Sequence, residues 1–367
     1  RDPLGFQPIW QKLGRNIIKD LSTVSIDIRD FQLMSFAWYF WGDRPDKNFI
    51  GFFYKFEQAC AYTRELYFEK SGYNGKNFVR KRVNESIFKL SANKVDWILS
   101  NQKTFGVFGK YNRPFTEMRI KYQDDFISVM ESAINTKTDS KKLLQLVEKL
   151  ITEDVVIITK EEMHPIADLL SQLSVKEKQF YERLILENPT HKCQNELYHL
   201  FKKKPELREN IFQLYPFIES VLKHDISLEL KACLVEIKNT ERILYSYTNL
   251  FRHLQSRPVW QLAEINEEKI FNYFPKKQDY VFSKVAVNDL NKELDSLKKD
   301  KSKIALAAVH RNQTVSERRN NSAWIKKEKG NLVRYYADGS REISVLDVSN
   351  SYENSYFIPT YISLFNQ

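Results

Sequence analysis

A mainly α-helical protein with a small C-terminal β-meander is predicted, on three observations. Glycine is scarce, 10 of 367 residues, against ordinary usage near 7%, which favours helices joined by short loops over a barrel or a nucleotide-binding sheet. Helix-start signals recur: "TKEE" (159–162) and "SVKE" (174–177) have capping-box spacing, and Pro205 suits a first helical turn. The alternating stretch "AWIKKEKGNLVRYYADGSREISVL" is broken at Lys329-Gly330 and at Asp338-Gly339, and Asp-Gly between alternating residues is the strongest short hairpin signal. About three strands are therefore expected there, with strands confined mainly to the region after residue 320.

Along the chain, Pro8 opens a short helix with Ile9, Leu13 and Ile17 on one face. Residues 31–41, "FQLMSFAWYFW", are apolar nearly all round, as in a buried helix. Phe53, Phe56, Cys60, Arg64 and Tyr67 recur at helical spacing, and this aromatic density reads as core. "KVDWILSNQ" reads as a helix around 93–102, with another beginning near Pro114. Residues 230–255 form one long predicted helix, with Ile237, Glu241, Leu244, Thr248, Phe251 and Leu254 along a stripe. A second long helix is expected over 285–310, its near-heptad seam interrupted by Lys301. "HRNQTVSERRNNS" lacks periodicity and reads as a loop, and the apolar tail "YFIPTYISLF" is expected to dock back onto the helices. The organisation expected is an aromatic-rich helical domain over 1–130, a helical domain over 131–310, and a basic loop, meander and docking tail over 311–367.

Composition narrows the class. Cys60, Cys193 and Cys233 are isolated, which excludes a CxxC zinc ribbon and fits a reducing compartment, so a cytoplasmic protein is expected. No apolar run reaches the ~18 residues of a membrane span; residues 26–51 come closest, broken by Asp27, Arg29, Asp30, Asp43, Arg44 and Asp46. The net charge is +10. Residues 1–130 carry 21 bases against 14 acids and residues 276–345 carry 16 against 9, while 131–275 carry 20 against 22. A base excess in two regions suits contact with a polyanion.

Catalytic patterns are weak. "TFGVFGKYNRPF" (104–115) holds a GxxGK arrangement, but a Walker loop requires GxxxxGK[ST]. Here Thr104 occupies the first glycine's place and Tyr111 follows Lys110. The stretch reads as a tight turn between helices. With Lys103, Lys110, Arg113 and Arg119 nearby, that is also the pattern of a winged-helix-like element. Asp225, Glu236 and Lys238 follow the D…ExK order of a magnesium-dependent nuclease, which needs the two carboxylates on adjacent strands. The 3.6 period running through the stretch favours a helix. His191, Cys193 and His199 lack paired zinc-ligand spacing. No GxSxG elbow is present. No cofactor or metal is expected, and a non-catalytic role is favoured.

Basic clusters carry more. They are "KNFVRKR" (76–82, with Arg80, Lys81 and Arg82), "KKK" (202–204) and "ERRNNSAWIKKEK" (317–329). The last groups Arg318, Arg319, Lys326, Lys327 and Lys329 around Trp324. Clustered bases give salt-sensitive, sequence-independent affinity for phosphates. With Lys110 and Arg113, these are the candidate DNA-binding residues.

Three islands carry a family resemblance. "RDPLGFQPIWQKLGRNIIKDLSTVSIDIRDFQLMSFAWYFW", "ILSNQKTFGVFGKYNRPFTEM" and "NNSAWIKKEKGNLV" resemble segments of bacterial proteins encoded beside helicases and nucleases in phage-defence loci. The resemblance implies an accessory component, with a helicase or nuclease as partner, and no active-site residue; contact with DNA is expected from the basic clusters. The alternatives are the nuclease above and a protein scaffold without nucleic-acid contact.

Overall fold

The computed structural model describes residues 2–44, 48–68, 72–209, 211–337 and 351–367. The protein is mainly α-helical, with 63% of the described residues in helices. It divides into two compact units. One comprises Asp20–His199 and Thr360–Gln367, the other Arg1–Lys19 and Leu200–Pro359. The chain thus changes unit three times, and neither residue 130 nor residue 310 is a crossing point.

In the first of these, a helix at Ile28–Trp41 is buried on nearly every side. Asp27 caps it by accepting from the Arg29 amide (2.8 Å), and it ends at Gly42, whose φ of +58° suits glycine. The helix Phe49–Tyr67 packs against it, capped by Asn48. Aromatic rings fill the seam: Trp38 stacks on Phe49 at 4.0 Å, and Trp41 on Phe52 at 5.7 Å. Inside this core Arg64 donates to Asp30 at 2.7 Å, both side chains almost fully buried.

Around the pair stand the helices Phe126–Lys137, Ser140–Thr152 and His164–Ser171. The capping box at Ser174 and Glu177 forms as predicted, opening the helix Val175–Tyr181. Glu177 is fully buried and also holds Lys137 and Gln32, each at 2.7 Å. Thr159 and Glu162 exchange the same two hydrogen bonds (3.3 and 2.9 Å) ahead of the helix His164–Ser171. The C-terminal residues return to the start of this unit, where Gln367 donates to the Ile26 carbonyl (2.7 Å) and accepts from the Ile28 amide (2.9 Å).

This unit also corrects the expected placement of strands. Ile87–Ser91 and Val155–Thr159 pair antiparallel, Phe88 opposite Ile158 and Leu90 opposite Val156, with all four side chains buried. Each is five residues long, too short for periodicity to separate a strand from a buried helical turn. The expected helix around 93–102 is instead a 3₁₀ turn, Lys94–Asp96, followed by the four-residue helix Gln102–Phe105. The next helix, Val107–Glu117, starts well before Pro114 and contains it. No full-length first helix remains there for a winged-helix element.

The other unit is organised on the helix Leu228–Leu254, capped by Ser227 and close to the predicted span. The helices Gln7–Arg15, Leu214–Leu222, Val285–Glu293 and Ser302–Arg318 pack against it. The single helix expected over 285–310 is two. A 3₁₀ segment, Leu294–Lys298, ends the first, and Asp300 accepts from the Ser302 amide and hydroxyl to start the second. Such local side-chain bonds compete with helix continuation. The second helix runs on to Arg318, through residues expected to form a loop. Its inward stripe includes Asn312 and Ser316 beside Ala308 and Val315, so buried polar residues hide its period.

The hairpin of the expected meander exists, and among the described residues its sheet has a third strand from elsewhere in the chain. Ile325–Glu328 and Asn331–Arg334 form the hairpin. Lys329 (φ +45°) and Gly330 (φ +86°) make its two-residue turn, both left-handed as a type I′ turn requires. The other side of Asn331–Arg334 pairs with Val259–Gln261, from just beyond the long helix. Trp260 and Leu332 face each other there, both buried, and Trp260 Nε1 donates to the Leu254 carbonyl (2.9 Å). Asp338-Gly339 lies outside the described residues. The tail docks as expected: Trp10 contacts the Tyr356 and Phe357 rings, and Tyr356 donates to Glu241 (2.8 Å). Among the described residues no helix is long and apolar enough to cross a membrane.

Candidate nucleic-acid interface

The glycines of "TFGVFGK" serve packing. Gly106 ends one helix and caps the next. A Cβ there would lie 2.8 Å from both Glu57 carboxylate oxygens, and one on Gly109 would run into the Lys103 and Thr104 carbonyls. The Val107 amide, which a phosphate loop would turn to its ligand, donates instead to Glu57 (2.6 Å); Gln102 donates to the same carboxylate (2.8 Å). Burial pushes Glu57 up to about 7 against these bonds. Gly109→Ala is expected to cost roughly 1–3 kcal/mol through overpacking. Gly72→Ala, with open space around the new methyl, should leave the melting temperature unchanged. Thermal denaturation followed by circular dichroism compares the two.

The nuclease arrangement is not formed. Glu236 and Lys238 lie on the helix Leu228–Leu254, and Asp225 precedes it; none is on a strand. Side chains two apart on a helix point to different sides. Lys238 pairs with Glu219 (2.9 Å), and Glu236 accepts from the Ser283 amide (2.8 Å). Among the described residues no group of three or more His, Cys, Asp or Glu side chains could hold a metal.

The ten basic candidates fall into two groups of five, one per unit. Arg80, Lys81, Arg82, Lys110 and Arg113 belong to the unit of residues 20–199. Arg80 pairs with Glu65 and Arg113 with Glu117, each at 2.8 Å. Lys110 donates to Asn74 (2.6 Å), Arg82 lies over the Phe78 ring (4.7 Å), and Lys81 is exposed on the helix Lys76–Arg82. This unit carries 26 Lys and Arg against 25 Asp and Glu, so it is nearly neutral as a whole, and two of these five bases are paired with acids.

The other unit carries 31 against 22, nearly the whole excess of the protein. Residues 302–337 alone hold eight bases and two acids. Two of the eight serve the fold: Arg311 donates to the Leu4 and Gly5 carbonyls, and Arg334 to the Gln255 carbonyl. Arg319 is partly committed, donating to the Asp2 carbonyl (2.6 Å) and pairing with its carboxylate (3.3 Å). Lys326 lies over the Tyr335 ring (4.9 Å). Arg318 ends its helix, while Lys327 and Lys329 stand on the hairpin whose first strand packs along that helix. All three are exposed. A surface of this kind can bind phosphates through mobile cations.

Beside them is a cleft of about 610 Å³, with Trp324, Tyr335, Tyr336, Arg319, Asn321 and Ser322 in its lining. Trp324 and Tyr336 meet edge to face at 4.7 Å, and the Trp324 carbonyl accepts from the Tyr335 and Tyr336 amides. Asn312 fixes the approach by accepting from the Trp324 amide (2.8 Å) and donating to the Pro3 carbonyl (2.9 Å). The two tyrosines were not among the expected site residues. Their signal, "RYY" at the end of a basic hairpin, was legible only as strand alternation.

Comparison of the chain with family models, curated proteins and solved structures finds no match.

Proposed function

We propose that this protein is a non-catalytic, DNA-contacting subunit that binds the phosphate backbone through the hairpin Ile325–Arg334 and the end of the helix Ser302–Arg318. The observation that supports it is the concentration of charge: 31 bases against 22 acids in one unit, near neutrality in the other. Arg318, Lys327 and Lys329 are exposed at the most basic part of that unit. The resemblance to proteins encoded beside helicases and nucleases supports a place in a phage-defence or DNA-processing assembly, with such an enzyme as partner.

Fluorescence anisotropy on two unrelated duplexes at two salt concentrations tests the proposal. Affinity should fall with salt at a log–log slope of about −0.9 per phosphate contact. The double variant Arg318→Glu/Lys327→Glu should lose about tenfold or more on both sequences alike, because phosphate contacts position rather than specify. Unchanged affinity in a folded double variant would remove this surface and leave the scaffold reading ahead.

A further inference from the structure

We infer that the cleft beneath the hairpin receives an unpaired nucleotide, so that the protein prefers single-stranded DNA to duplex. The inference rests on the DNA-contacting proposal and adds the substrate class. Tyr335 and Tyr336 are 57% and 41% exposed and adjacent in sequence, whereas the other exposed rings Phe105, Tyr122 and Tyr273 lie singly along the chain. They flank a cleft of about 610 Å³ with Trp324 beside them, within the usual range of small-ligand sites.

Position and chemistry choose the ligand. An exposed ring can stack on any base, but the faces of bases inside a duplex are already covered by their neighbours. Lys326 sits over the Tyr335 ring, and Arg319 lines the cleft, so cations accompany the aromatic surface as a charged backbone requires. Asn321 and Ser322, both exposed in the same lining, supply hydrogen-bonding groups for a base edge. Asp2, the acid of the lining, is already engaged: it accepts from the Phe6 and Gln7 amides and pairs with Arg319. A duplex, by contrast, would meet the surface through its phosphates, at Arg318, Lys327 and Lys329, without stacking on the rings.

The test uses the full chain and labelled oligonucleotides at one salt concentration: a thymidine 20-mer and a duplex of equal length. The single strand should bind about tenfold tighter than the duplex or better. Tyr335→Ala/Tyr336→Ala should remove about tenfold of the single-strand affinity and leave duplex affinity nearly unchanged, while Tyr335→Phe, which keeps the ring, should match the unaltered protein. If the double variant unfolds, Tyr335→Ala alone, at a mostly exposed side chain, gives the same comparison. Equal affinity for strand and duplex, or no effect of removing the rings, would overturn the cleft assignment while leaving phosphate contact standing. Binding to neither oligonucleotide would remove both.

Discussion

Arg64→Met is expected to destabilise the unit of residues 20–199 by about 3–5 kcal/mol, the cost of leaving one partner of a buried ion pair alone. Arg64 and Asp30 meet at 2.7 Å between two helices that are buried almost all round, so water cannot replace the lost guanidinium. Burial already raises the Asp30 pKa, with Arg64 holding it back, and losing Arg64 would drive the carboxyl further toward its neutral form. Asp30→Asn combined with Arg64→Met should recover much of the loss, because a buried pair is often no more stable than a neutral replacement. Hydrogen exchange across residues 28–67, with chemical denaturation of the two variants, measures the difference. A loss under about 1 kcal/mol, as for an exposed pair, would show that the site is hydrated.

Glu241→Ala should cost the other unit roughly 3 kcal/mol or more, because the carboxylate accepts four hydrogen bonds whose donors would be left unpaired. The Glu353 and Asn354 amides reach one oxygen at 2.7 and 3.0 Å. Asn354 Nδ2 and Tyr356 Oη reach the other at 3.0 and 2.8 Å. The first visible loss should be tail docking, read as protease sensitivity and faster amide exchange at residues 351–357. Burial pushes Glu241 up to about 7, above the ordinary glutamate value of 4.5, despite those bonds. The linkage sign follows: its contribution is fully present below pH 4.5 and is lost as pH rises through 7. Tail protection should therefore weaken between pH 5 and 8 by an amount that disappears in Glu241→Gln. A pH dependence identical in Glu241→Gln would assign the titration to another group.

Much of the fold was legible because it is local. The helices Ile28–Trp41, Phe49–Tyr67 and Leu228–Leu254 follow from apolar spacing, and Ser174–Glu177 from a cap that spans four residues. The hairpin turn at Lys329-Gly330 follows from the break in alternation there, where Gly330 takes the left-handed conformation freely. Buried polar residues misled where the local signal and the environment disagreed. Asn312 and Ser316 made a helix resemble a loop, and Asp300 with Ser302 divided a helix that apolar spacing alone would join.

By itself, then, the sequence determined the mainly helical class, the position of the long helix Leu228–Leu254, the hairpin and the basic character of residues 317–329. These depend on interactions reaching no more than a few residues along the chain. Tertiary structure alone decided which acids answer which bases. It placed residues 1–19 with 200–359 in one unit, which holds nearly the whole charge excess, while the bases of residues 20–130 share a unit with the acids of residues 131–199. It also paired Ile87–Ser91 with Val155–Thr159, supplied Val259–Gln261 as the third strand, and left Tyr335 and Tyr336 exposed beside Trp324. Strand pairing, charge compensation and burial act through space between residues distant in sequence, and no local pattern encodes which distant partner will arrive.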